Sequence, residues 1–113
     1  MQANEQEQSQ TQLTRLPVLV IVDDDEALAT SLRGVFRHCG YSTYAFTSAA
    51  SALEFISRAP ADLVIADLRM PVMTGIELLQ QISPGSPEAI RMILGGRDDR
   101  DAMANAQSRG LAH

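Results

Sequence analysis

The sequence predicts an α/β fold built on a doubly wound parallel sheet, and three observations carry that expectation. Short apolar runs alternate with amphipathic helical segments from Leu16 to the end of the chain. The runs at 18–22 (VLVIV) and 63–66 (LVIA) are apolar throughout, as in strands covered on both faces. Capping and breaking residues stand at the joints between segments. Strict alternation of strand and helix implies parallel pairing through right-handed crossovers.

Taken in order, 18–22 is the first strand. Leu28, Leu32, Val35, Phe36 and Cys39 then recur at helical spacing, and Gly40 ends that helix. Residues 42–46 read as a shorter, more polar strand at a sheet edge. Ser48 caps a second helix with Ala49, Ala52, Leu53 and Ile56 inward, closed by Pro60. The run from Leu63 to Ala66 ends on Asp67. Thr74 and Glu77 have the spacing of a capping box and open a third helix carrying Ile76, Leu79 and Ile82. The segment SPGSP at 83–87 breaks the chain before a strand at 90–94. Asp98 or Asp99 caps a last helix with Ala102, Met103 and Ala106 inward, which Gly110 ends.

Composition narrows the function classes. At 113 residues the chain suits one domain. Residues 1–15 are polar and glutamine-rich and read as a disordered leader; 16–113 form the domain. No apolar run is long enough to span a membrane, and the start lacks the pattern of a secretory signal. The one cysteine, Cys39, allows no internal disulfide and suits the cytoplasm. A net charge of −5 argues against a grip on nucleic acid by this segment. Every basic residue is arginine, and lysine is absent.

The chemistry concentrates where two apolar strands end in acids, at Asp23-Asp24-Asp25 and at Asp67. In parallel sheets of this kind, sites form beyond the carboxyl ends of the strands. Like charges about 4 Å apart repel by roughly 4 kcal/mol at an effective dielectric near 20. Helix capping accounts for Asp25 and Glu26. It does not account for Asp23, Asp24 or Asp67. An all-oxygen acidic cluster suits a hard cation such as Mg²⁺, and a carboxylate beside that ion can attack a phosphoryl group.

The stretches LVIVDDDEAL (19–28) and DLVIADLRMPVMTGIELL (62–79) resemble the receiver domain of bacterial two-component response regulators. The DLRMPVMTG segment is the specific signal, and the resemblance spans Leu16 to His113. It implies a flavodoxin-like fold with strand order 2-1-3-4-5. It implies Asp67 as phospho-acceptor, and Asp23, Asp24, Asp67 and the backbone carbonyl of Arg69 as ligands of Mg²⁺. Pro71 and Gly75 match the family's turn after the acceptor. Met70 and Met73 read as packing residues, and His38 and His113 as incidental. The implied partners are a sensor histidine kinase or histidine phosphotransfer protein, and an output domain or downstream protein; a homodimer is left open. The implied role is a signalling switch that assists its own phosphorylation and dephosphorylation, rather than an enzyme.

Two family features are missing. The position where receivers carry a threonine or serine after the fourth strand is Gly95, and no hydroxyl residue lies between Ser86 and Ser108. The family's lysine ends a fifth strand, and the chain stops at SRGLAH where that strand begins. The fifth strand and last helix are therefore expected to be missing, with one sheet edge open and one face partly bare. This points first to an N-terminal piece of a longer protein and second to a naturally shortened receiver. Two other readings stand beside the switch. A pseudo-receiver would bind partners without phosphorylation. A phosphohydrolase of the haloacid-dehalogenase type is suggested only by Asp23-x-Asp25.

Overall fold

The computed structural model describes residues 15–113, so nearly all of the predicted leader lies outside the described residues. The elements are β1 (Val18–Val22), α1 (Glu26–His38), β2 (Ser42–Phe46), α2 (Ala49–Arg58), β3 (Leu63–Asp67), α3 (Gly75–Ile82), β4 (Ile90–Leu94) and α4 (Arg100–Ser108), with a 3₁₀ turn at Arg97–Asp99 before α4. The four strands form one parallel sheet in the order β2-β1-β3-β4. This is the expected order without its fifth member, and β2 lies at an edge as its polarity predicted.

The joints do what their residues dictate. Asp25 caps α1 by accepting the Leu28 amide, and Ser48 caps α2 by accepting the Ser51 amide. The Thr74–Glu77 box is closed in both directions. Gly40 and Gly110 take φ of 100° and 72° after α1 and α4. Behind each glycine the next amide reaches back to the helix, Tyr41 to the Phe36 carbonyl and Leu111 to that of Ala106. Both ends are Schellman motifs, which need a residue free to adopt the left-handed conformation.

The core is uneven across the sheet. On one face α2, α3 and α4 bury Ala52, Ile56, Leu78, Leu79, Ile82 and Ala106 against Val20, Val22, Val64 and Ile93. On the other face α1 alone packs Leu32 and Phe36 on Leu19, Ile21 and Ile65. Two expected inner faces are therefore corrected. In α1, Leu28, Val35 and Cys39 are exposed, because the helix covers only the centre of its face. In α3, Leu78 is buried and Ile76 only half-buried, because the helix is rotated to bring Gly75 against β3. Ile90, Met92 and Leu94 of β4 point to the α1 face and are exposed, so part of that face is bare among the described residues.

Arg91 was not singled out from the sequence. Its guanidinium is buried and donates to the carbonyls of Ser86, Pro87, Ala89, Gly110 and Leu111. It thereby ties the SPGSP loop to the segment after α4. Beside it, His113 is not incidental. Its amide donates to the Arg91 carbonyl at 2.7 Å, and its Nδ1 accepts the Arg91 amide at 2.9 Å, on the side of β4 away from β3. Arg91→Met keeps the apolar stem but removes the buried donors. It should cost about 2–4 kcal/mol, read as a lower urea midpoint.

Candidate functional site

The register of the sheet builds the site. β1 and β3 are hydrogen-bonded neighbours with Val22 paired to Ala66. The next residue on each strand is an aspartate, so Asp23 and Asp67 emerge side by side at the carboxyl end. Carboxylate oxygens of Asp23, Asp24 and Asp67 all lie within 4.8 Å of one another. Asp23 is 3 % exposed, Asp24 is exposed and Asp67 is half-buried. The Asp23 carboxylate is fixed by the Asp25 amide at 2.9 Å, and its own amide donates to the Phe46 carbonyl. Asp67 accepts the Arg69 amide at 3.3 Å.

This arrangement is electrostatically costly as it stands. Partial burial pushes the Asp67 carboxyl above the ordinary aspartate range. The Arg69 amide opposes that shift, and the Asp23 and Asp24 carboxylates add to it. The donors are all carboxylate oxygens on one open rim, a set that suits a hard divalent cation with room for waters and a phosphoryl oxygen.

The turn after Asp67 is held by close backbone contact. A Cβ on Gly75 would fall 2.5 Å from the Asp67 carbonyl oxygen and 3.1 Å from the Leu68 Cα. Only glycine lets α3 begin this close to β3, and its amide donates to the Leu68 carbonyl at 3.0 Å. Met70 and Met73 pack against the first core, as expected. Between them the Met73 amide donates to the Pro71 carbonyl at 2.7 Å, closing a three-residue turn. Val72 at its centre has φ 71° and is fully exposed, a strained conformation for a β-branched residue.

The strand ends beyond β3 differ from the expectation in one respect. Asp99 precedes α4 but does not cap it with its side chain. The carboxylate turns back instead, accepting the Gly96 amide at 2.9 Å and the Arg69 guanidinium, with Nε at 2.9 Å from Oδ1. The ion pair lowers the Asp99 carboxyl below its usual range, helped by the Gly96 amide. The Arg69 side chain was not singled out from the sequence. Its partner lies 30 residues away, and only the fold brings the ends of β3 and β4 together.

Residues 19–113 match the profile of the response regulator receiver domain. The chain belongs to this family. As a receiver domain it is a signalling module of two-component systems, in a family that binds Mg²⁺ at an aspartate cluster such as this one. The chain is 30 % identical over 93 residues to the DNA-binding transcriptional regulator NtrC of Escherichia coli, covering 82 % of this chain and 20 % of that protein. It is 31 % identical over 85 residues to the response regulator protein TodT of Pseudomonas putida, covering 75 % of this chain and 37 % of TodT. The chain thus spans well under half the length of these relatives. The signal receiver domain of an HD domain-containing protein from Pseudomonas fluorescens superimposes with a TM-score of 0.78 at 28 % identity, over 88 % of this chain and 73 % of that one. Receiver membership rules against the phosphohydrolase reading.

Two consequences are measurable. A carboxyl whose folded-state pKa is raised favours folding while protonated and opposes it once ionised. In EDTA, Asp67→Asn should therefore melt above the native receiver at pH 7. The difference should vanish as the pH falls below the ordinary aspartate range, where both states are protonated. Val72→Gly should relieve the left-handed strain and add about 1 kcal/mol of stability, read by urea unfolding.

Proposed function

We propose that this receiver accepts a phosphoryl group on Asp67 from a phosphohistidine of a sensor histidine kinase or histidine phosphotransfer protein. The observation that carries the proposal is the meeting of the Asp23, Asp24 and Asp67 carboxylates within 4.8 Å at the ends of adjacent strands. Asp23, Asp24, Asp67 and the Arg69 carbonyl are the residues to hold Mg²⁺. The bound ion would neutralise charge on the phosphoryl oxygens during transfer.

In the transfer, an Asp67 carboxylate oxygen forms a new bond to phosphorus as the phosphorus–nitrogen bond of the donor breaks. The imidazole leaves with the bonding electron pair and takes up a proton. Asp23 serves by staying fixed, its oxygen already held by the Asp25 amide. The Arg69 amide, on Asp67 Oδ1 in the resting chain, lies where it can follow charge onto the phosphoryl group. Hydrolysis reverses the modification, with water as the acceptor.

The phosphorylated receiver would switch an output domain or a downstream protein, in the cytoplasm, without itself contacting nucleic acid. Among the described residues no helix is long and apolar enough to cross a membrane. The pseudo-receiver reading draws on one observation. The Gly96 amide, which follows β4 and would be a donor to a phosphoryl oxygen, is already taken by Asp99. Intact mass after incubation with acetyl phosphate and Mg²⁺ separates the two. Gain of one phosphoryl group, lost without Mg²⁺ and in Asp67→Asn, is the expected result. A folded native chain that gains none is a pseudo-receiver.

A further inference from the structure

Gly95 stands where the switch hydroxyl of a receiver belongs, and the space beside it is filled. A Cβ there would lie 2.7 Å from the Met103 Sδ and 3.1 Å from the Asp99 Cβ. Asp99 is 5 % exposed, yet it is a carboxylate. Burying it requires donors, and it has two sources. Gly96 supplies its amide, and Arg69 supplies a guanidinium that engages both carboxylate oxygens. Asp24, Arg69, Thr74 and Asp99 line one open depression beside the acceptor.

These donors are not neutral bystanders to Asp67. Arg69 lies two residues beyond it, and the Arg69 amide already touches it. The guanidinium is mostly solvent-exposed, so a side-chain rotation suffices to re-aim it. A phosphoryl group carries more charge than a carboxylate and accepts the planar arginine fork equally well.

We propose that Asp99 is a resident anion that holds the Arg69 guanidinium and the Gly96 amide in the unphosphorylated chain, and that phosphorylated Asp67 takes Arg69 from it. This rests on Asp67 being the phospho-acceptor. Once its cation leaves, the buried Asp99 carboxylate turns out to solvent. The turn at 97–99 and the Met103 packing over Gly95 loosen with it. The exchange of one ion pair thereby carries the signal from β3 to α4 without a hydroxyl. Arg69 becomes a phosphoryl ligand, and Asp99 is its competitor.

The test follows amide hydrogen exchange by NMR, with phosphoryl loading read by intact mass, in the native chain, Arg69→Gln, Arg69→Lys and Asp99→Asn. On loading, the Gly96 and Asp99 amides of the native chain should exchange about tenfold faster, as expected when a local closure is released. In Arg69→Gln they should exchange fast before loading and change little after it. Its phosphoryl group should be lost several-fold faster than the native one, with partial rescue in Arg69→Lys. In Asp99→Asn, with the competitor removed, the phosphoryl group should persist several-fold longer. A chain that loads while its Gly96 and Asp99 amides stay within twofold of their resting rates overturns the proposal. So does an unchanged phosphoryl lifetime in Arg69→Gln, in a chain whose dispersed amide spectrum shows that it is folded. A native chain that takes up no phosphoryl group overturns the acceptor reading, and this one with it, and the mass alone shows which has failed.

Discussion

The parallel pairing of β1 with β3 is the constraint from which the rest of the site follows. With Val22 opposite Ala66, the first residues past the pair are Asp23 and Asp67, and no adjustment of side chains can separate them. The strands that force them together are the most buried in the molecule, with Val20, Val22, Val64 and Ala66 inaccessible to solvent. Charge repulsion at the rim is thus imposed by apolar packing beneath it. Individual carboxylates repel by a few kcal/mol, whereas the core below draws on many buried side chains at about 1.5–3 kcal/mol each. The fold wins, and the rim is left with a standing affinity for positive charge.

That strain is contained by backbone rather than by countercharge. The Asp25 amide fixes Asp23, the Arg69 amide fixes Asp67, and Gly75 lets the start of α3 press on the Asp67 carbonyl. Each of these contacts comes from a segment immediately following a strand, so the site is rigid wherever the sheet is. At the other end of β4, Arg91 does comparable work with a buried cation and a ring of carbonyls. It holds the loop before the strand and the segment after α4 in one piece.

Around Gly95 the packing is close and is satisfied locally. Met103 and Asp99 occupy the space that a side chain at 95 would need. A buried acid there needs a cation, and Arg69, two residues beyond Asp67, supplies it. A buried acid beside Gly95 and an exposed arginine beyond Asp67 thus meet in one ion pair.

The sequence by itself determined the order of elements, their ends and the three acids of the site. Those features are local, since continuous apolar runs, Schellman glycines and the Thr74–Glu77 box declare themselves within a few residues. Asp23, Asp24 and Asp67 were legible because each sits at or just past the end of an apolar strand, and parallel sheets place such ends on one rim. The tertiary structure alone decided which face of α1 is left exposed, how α3 is rotated, and where Arg91, Asp99 and the Arg69 side chain go. Each of those depends on contacts between segments far apart in the chain. Asp99 looked like a helix cap because the sequence shows only the helix that follows it. Its actual partner is set by the distance between the ends of β3 and β4, a quantity that exists only once the sheet has formed.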